Sequence, residues 1–230
     1  MKYNPMHAPQ WQQIDTVLLD MDGTLLDLHF DNYFWLTYVP QCYAKLRGIS
    51  EAEALADLNK SFVGLVGTLD WYCLDFWADL TGLNILELKK DVAHKIAIRP
   101  QVLDFLQHMR ELNKRTVIVT NAHRDSVNLK MQHTGLNKYV DRIISSHDYQ
   151  HPKETAEFWN ALEQDEGFDK SRAIFIDDSH AVLESAARWG VEWVVCVNNP
   201  DSQKPAKTND QFFGIEAFDE LLYTQALEIC

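Results

Sequence analysis

The sequence predicts an α/β protein: a doubly wound parallel sheet with helices on both faces, carrying an inserted all-helical domain. Three observations predict it. Five short segments are unbroken apolar or β-branched runs, the pattern of strands covered on both faces. Helical stretches lie between them and stop at glycine. The interval from the first strand to the second runs to about a hundred residues, where a crossover needs roughly a dozen.

TVLL (16–19) is the first strand and RTVIVT (115–120) the second. RIISS (142–146), AIFID (173–177) and EWVVCV (192–197) follow. Gln101 to Asn113 reads as a helix beginning after Pro100, and Asp125 to Thr134 as one ending at Gly135. Glu154 to Glu166 stops at Gly167, and Ser179 to Trp189 stops at Gly190. Residues 28–99 read as helical throughout. Ser50 with Glu53 is a capping box, Thr68 and Asn84 are candidate N-caps, and Gly48, Gly64 and Gly82 close segments. About four helices are expected there, over the carboxyl edge of the sheet, where open α/β folds bind ligands. The division is therefore core for 1–27, helical cap insertion for 28–99 and the rest of the core for 100–230.

Apolar residues make up 46% of the 230, enough for a sizeable core. Lys and Arg number 21 against 34 Asp and Glu, a formal charge of −13. Such a field argues against nucleic acid or an anionic membrane as the main partner, but not against a small anion in a locally positive cleft. Cys42, Cys73, Cys196 and Cys230 are far apart, with no CxxC pair, and read as reduced thiols of a cytoplasmic protein. MKYNPMHAPQWQQ at the N-terminus lacks the apolar run of a signal peptide. No apolar run approaches the roughly 20 residues of a membrane-spanning helix.

Asp20 and Asp22 stand at the carboxyl end of the first strand, followed by Gly23 and Thr24. Asp-Gly alone is equally a turn signal. A second acidic pair, Asp177-Asp178, ends AIFID, and in the expected sheet the two ends are neighbours. Two carboxylates about 4 Å apart repel by roughly 4 kcal/mol at an effective dielectric of 20. Several together call for protonation or a hard divalent cation, and Mg²⁺ suits few carboxylates completed by phosphate and water. Thr120-Asn121 ends the second strand, and Lys153 precedes a helix after RIISS. Each is weak alone, as turn chemistry or a solvated lysine. Together the strand ends offer a nucleophile, a hydroxyl donor, an ammonium and metal ligands, the parts of a phosphoryl-transfer site.

The order DMDGT, TN, K, IDD resembles the four motifs of the haloacid dehalogenase-like (HAD) superfamily, and the insertion between the first two resembles its helical C1-type cap. The resemblance implies a Rossmann-like core, Mg²⁺ and an aspartyl-phosphate intermediate. It implies Asp20 as nucleophile and Asp22 as general acid and base. Thr120, Asn121 and Lys153 would bind phosphate. Asp20, the Asp22 carbonyl and Asp177 or Asp178 would hold the metal, Asp177 being favoured as the direct ligand. Gly23 would let the chain turn tightly, and Thr24 would position Asp22. Dehalogenases of this superfamily need neither the metal nor Asp22. Phosphonatases need a Schiff-base lysine in the cap, and Lys45, Lys60, Lys89, Lys90 and Lys95 show no such context. A sugar-phosphate phosphatase or phosphomutase is the alternative. A non-catalytic phosphorylation switch, of the response-regulator kind, would have the acidic pair and the phosphorylated aspartate in the reverse order.

In TLDWYCLDFWADL (68–80), Leu69, Tyr72, Cys73, Phe76, Trp77 and Leu80 form one apolar stripe of a continuous helix, which makes the aromatic ones cap core. Trp71 and Asp75, four apart, fall on the opposite side. They either face the active site, where Trp71 stacks on a flat base, or pack against a neighbour. Asp31 is a candidate N-cap. His29 and His123 are lone histidines near the site, and His123 in TNAH is close enough to touch substrate. DMDGTLLDLHFDNYFW, LDWYCLDFW, TNAH, HTGL, PKE and FIDDS together resemble the bacterial GMP/IMP 5′-nucleotidase group of HAD hydrolases. That resemblance implies hydrolysis of purine nucleoside 5′-monophosphates. GMP and IMP carry an N1–H donor where AMP has an acceptor, so an acceptor such as Asp75 or Asp31 would reject AMP.

Overall fold

The computed structural model describes residues 8–222. After β1 (Thr16–Leu19) the chain enters a run of helices: α1 (His29–Tyr33), a π-helical turn over Phe34–Tyr38, α2 (Val39–Arg47), α3 (Glu51–Phe62), α4 (Leu69–Tyr72), α5 (Leu74–Thr81) and α6 (Ile85–Asp91). Then come α7 (Val102–Glu111), β2 (Arg115–Thr120), α8 (Arg124–Thr134), β3 (Arg142–Ser145), α9 (Ser146–Tyr149), α10 (Ala156–Glu166), β4 (Ala173–Asp177), α11 (His180–Trp189), β5 (Trp193–Val197), β6 (Phe213–Ile215) and α12 (Asp219–Leu222). The chain is thus α/β, with a parallel sheet in the order β3-β2-β1-β4-β5-β6. The sixth strand was not expected. It has three residues, one of them Gly214, too few for a periodic signal.

Alternate strand residues enter different apolar clusters. Val17, Leu19, Ile118, Ile174 and Ile176 belong to one, and Leu18, Val117, Val119 and Phe175 to the other. Successive side chains point to opposite faces of a strand, so both faces are covered and the strands have no polar alternation. Register then sets the site. Leu19 of β1 lies level with Ile118 of β2 and Ile176 of β4, so Asp20, Thr120 and Asp177 emerge at one edge.

The strands leaving and re-entering the helical run are clasped together. Leu26 and Ile98 form an antiparallel bridge. The Asp27 N–H donates to the Ala97 carbonyl (2.9 Å), and the Arg99 N–H donates to the Leu25 carbonyl (3.0 Å). Within the run, the caps at Ser50, Thr68 and Asn84 all form. The helix expected over 68–80 does not stay whole. Cys73 is extended (φ −83°, ψ 116°) and separates α4 from α5. The break frees the Trp71 carbonyl from its helical partner, and the Trp77 indole N–H takes it at 2.9 Å. Trp77 is thereby locked into the core of the run, against Phe62, Trp71, Phe76 and Trp35.

Candidate active site

Asp20 is held at the end of β1 by its N–H, which donates to the Ile176 carbonyl at 2.9 Å. Lys153, between α9 and α10, is 2% exposed. Its Nζ donates to Asp20 Oδ1 (2.5 Å), Asp177 Oδ2 (2.7 Å) and the Val119 carbonyl (3.1 Å). A buried ammonium needs such partners, since an unpaired buried charge is strongly unfavourable. Asn121 fixes the Lys153 loop: its Oδ1 accepts the Lys153 N–H (2.9 Å), and its Nδ2 donates to Glu154 Oε2 (3.0 Å). The Asn121 side chain thus ties the Lys153 loop to the end of β2, and Asn121 also lines the adjoining cavity.

Asp178 lies against the nucleophile loop. Gly23 has φ +90°, and a Cβ there would stand 2.7 Å from the Asp178 Cγ, so only glycine lets that carboxylate approach. Lys207 Nζ donates to Asp178 Oδ2 at 3.0 Å. Asp20, Asp177 and Asp178 each place a carboxylate oxygen within 4.8 Å of the others. Burial pushes the Asp20 carboxyl up to about 6 against the pull of Lys153, and does the same to Asp177. Three buried carboxylates with one buried lysine are short of positive charge. Hard oxygen donors in that condition suit Mg²⁺. The Asp177 carboxylate is already spent on both sides, Oδ2 on Lys153 and Oδ1 on the Ser179 N–H (2.7 Å). Of the pair, Asp178 carries a side-chain hydrogen bond on Oδ2 alone, from Lys207.

A second cluster adjoins the first. Lys130 of α8, 1% exposed, stands 2.7 Å from Asp22 Oδ1 and 2.7 Å from Asp31 Oδ2. The contact with Asp22 is one of charge, because Oδ1 has no aligned hydrogen bond. Lys89 of α6 donates to Asp31 Oδ1 at 2.8 Å. Burial lifts Asp22 to about 6 even with Lys130 beside it. Burial acts on Asp31 too, but Lys130 and Lys89 outweigh it and hold that carboxyl down at about 2. Asp31 is thus an ion-pair bridge rather than an acceptor open to a base.

Both clusters, Lys130 excepted, line one cavity of about 410 Å³, with Asn32, Trp35, Phe62, Trp71, Tyr72, Trp77, Thr120 and His123. The volume suits a small ligand. Trp71 meets both of its expectations: it lines the cavity and packs edge-on against Phe62 and Trp77. Asp75 is not in the cavity. The break at Cys73 changes the helical phase, leaving its side chain 81% exposed and 3.8 Å from His123 Nε2. Tyr72, expected in the cap core, instead donates to Glu154 Oε1 (2.8 Å) across to the sheet edge. The Thr24 hydroxyl is buried without a hydrogen bond, so it does not hold Asp22.

Lys130, Lys89, Glu154 and Lys207 were not foreseen. The first two carried a signal. Lys130 sits three residues after Val127 and one before Met131, and Lys89 four after Ile85, so each lysine falls on the buried stripe of its helix. Glu154 and Lys207 lie in loops whose course sequence patterns do not reveal.

The fold and site define a hydrolase class. A family model described as haloacid dehalogenase-like hydrolase matches residues 14–190, and the chain belongs to that family. It is 40% identical over 192 residues to GMP/IMP nucleotidase YrfG of Escherichia coli K12, covering 84% of this chain and 86% of that one. Among solved structures it resembles an HAD phosphatase from Thermococcus onnurineus, with TM-score 0.76, 24% identity, and 94% and 98% of the two chains covered. L-2-haloacid dehalogenase from Xanthobacter autotrophicus shares the fold at TM-score 0.60 and 15% identity, with 93% and 99% covered.

Proposed function

We propose that this protein is a Mg²⁺-dependent phosphomonoesterase that hydrolyses the purine nucleoside 5′-monophosphates GMP and IMP through an aspartyl-phosphate on Asp20. The observation that carries the reading is Lys153, held between Asp20 and Asp177 in a cavity that Trp35, Phe62, Trp71, Tyr72 and Trp77 also line. The 40% identical GMP/IMP nucleotidase supports the substrate class. A cytoplasmic location fits such a substrate, and among the described residues no helix is long and apolar enough to cross a membrane.

Asp20 attacks phosphorus while the ribose 5′ oxygen leaves. The Lys153 ammonium holds a non-bridging oxygen. Burial works against its charge, but Asp177 and Asp20 prevail and keep it protonated. Thr120 Oγ1 accepts the Ala122 N–H (3.1 Å), which turns its own O–H outward to donate to a second oxygen. Asp22, lifted toward neutrality, gives its proton to the leaving oxygen. As a carboxylate it then takes a proton from the water that cleaves the acyl phosphate. Mg²⁺, when held by Asp20, Asp178 and the Asp22 carbonyl, supplies the positive charge that offsets carboxylate and phosphate together.

The helical run of residues 28–99 acts as the cap that reads the base, and the described residues on either side of it form the core. Trp71 and Trp35 offer faces for a purine. Asn32 takes over the reading first given to Asp31 or Asp75. Its Nδ2 is held by Asp201 Oδ2 at 2.6 Å, which fixes its Oδ1 as an acceptor for the N1–H. The test is phosphate release with Mg²⁺ or EDTA across GMP, IMP, AMP, pyrimidine monophosphates and sugar phosphates. Mg²⁺-dependent release favouring GMP and IMP, with the preference over AMP reduced in Asn32→Ala, is expected. Release from sugar phosphates alone would transfer the protein to the sugar-phosphate alternative.

A further inference from the structure

One cluster of titratable side chains has no part in the phosphoryl chemistry. Cys73, His123 and His147 each bring one possible ligand atom to within 4.8 Å of the other two, and all three residues are half-buried. They come from separate places: the break between α4 and α5, the turn before α8, and α9. We propose that Cys73, His123 and His147 form a second metal site, for a borderline-soft divalent cation such as Zn²⁺, and that the bound ion ties the helical run to the sheet edge and slows turnover.

The donors suit that class of ion and not Mg²⁺. One sulfur and two imidazole nitrogens are ligands for Zn²⁺, whereas Mg²⁺ takes oxygen. His147 Nε2 is buried and has no hydrogen-bond partner, so a lone pair is confined without a donor. Its ring is edge-on to His123 at 5.1 Å, which brings both imidazoles to one spot. His123 has a built-in way to free its own nitrogen. Its Nδ1 accepts the Asp125 N–H (3.3 Å between the nitrogens) and lies 3.8 Å from Asp125 Oδ2. Moving the ring proton to Nδ1 exchanges the bond from the Asp125 N–H for one to the Asp125 carboxylate, and leaves Nε2 as a ligand oriented by a carboxylate behind it, a recurrent arrangement around zinc. Asp75 Oδ2 lies 3.8 Å from His123 Nε2 but outside the three-ligand cluster, which leaves the fourth position to water. Binding converts the Cys73 thiol to a thiolate and releases one proton to solvent.

Such an ion would bridge the helical run, through Cys73, to two elements of the core, through His123 and His147. His123 also lines the substrate cavity. A cap pinned there opens more slowly for product release, which is often what limits turnover in enzymes that close over substrate. The turnover part rests on the phosphatase reading, and the binding part does not.

The test uses the full chain saturated with Mg²⁺, so that the carboxylate site is filled. Zn²⁺ is titrated against a chromogenic chelator, and Co²⁺ is added in a parallel sample to report thiolate ligation by its near-ultraviolet charge-transfer band. The wild type is expected to bind one equivalent of Zn²⁺ and show the band. Cys73→Ser should lose the band, and both Cys73→Ser and His147→Ala should bind Zn²⁺ at least roughly tenfold more weakly. No stoichiometric binding by the wild type, or a band that persists in Cys73→Ser, would overturn the site. Zn²⁺ should slow phosphate release by the wild type and not by Cys73→Ser; equal inhibition of both would overturn the clamp while leaving the binding result to stand by itself.

Discussion

Two lysine–carboxylate clusters share one cavity and are balanced differently. Lys130 and Lys89 face Asp22 and Asp31, two positive charges against two negative. Lys153 faces Asp20 and Asp177, with Asp178 beside them and half-exposed Lys207 reaching only the last. The first arrangement is complete as a protein structure. The second carries a surplus of buried negative charge that no other buried lysine offsets. The difference separates two jobs. The deficient cluster is where a cation and a phosphate are stabilising, because each supplies what the fold leaves out. The balanced cluster keeps Asp22 close to the nucleophile but tied to a lysine, available for proton transfer.

The comparison breaks most sharply at the nucleophile. Asp20→Asn should cut kcat by on the order of 10⁴-fold or more without unfolding the chain, since it removes one surplus charge; initial rates with circular dichroism check both halves. Next come the two lysines. Lys130→Ala strands Asp22 and leaves Asp31 to Lys89 alone, and should destabilise by about 3–5 kcal/mol in urea unfolding, with or without Mg²⁺. Lys153→Ala should show a comparable loss in EDTA that Mg²⁺ partly restores, because the cation replaces missing positive charge at that cluster alone.

Titration gives Asp31 the opposite sign to Asp20, Asp22 and Asp177. The folded-state pKa values of Asp20 and Asp177 are raised to about 6. Their favourable contribution is present below the ordinary carboxylate value and lost as pH rises through about 6. The folded-state value of Asp31 is depressed to about 2, so its contribution is present above the ordinary value and lost as pH falls through about 2. Unfolding in EDTA should therefore show stability declining between about pH 4 and 6, a decline that Mg²⁺ flattens, whereas Asp31→Asn should chiefly remove stability at the neutral end. The smallest effect belongs to Thr24. Its buried hydroxyl has no partner, so Thr24→Val should stay within about 0.5 kcal/mol of the wild type in the same assay.

The deficient cluster was legible in the sequence, whereas of the balanced one only the carboxylates Asp22 and Asp31 were, and not the lysines that pair with them. Asp20, Thr120 and Asp177 end apolar runs, and register in a parallel sheet carries strand ends to one edge whatever the loops do. Lys153 followed from its place in that order. Lys130 and Lys89 answer to tertiary packing between α8, α6 and α1, which a single helix pattern reveals only as a lysine on the wrong stripe. The phase of Trp71 and Asp75 depended on one backbone break at Cys73, stabilised by an indole six residues from the carbonyl it caps. No local propensity announces such a break. Three cysteines, Cys42, Cys73 and Cys196, are free thiols as expected, while Cys230 lies outside the described residues.

The most direct measurement is a rapid acid quench of the Mg²⁺-loaded enzyme with phosphate-labelled GMP, followed by mapping of any labelled peptide. Asp22→Asn, which lacks both the acid for the first step and the base for the second, is run in parallel with a labelled phosphate ester whose leaving group needs no proton, so that the intermediate accumulates. The account predicts a hydroxylamine-sensitive label on the peptide containing Asp20, stronger in Asp22→Asn and absent in Asp20→Asn. Steady release of phosphate with no protein-bound label in either enzyme, or a label on another residue, would contradict it.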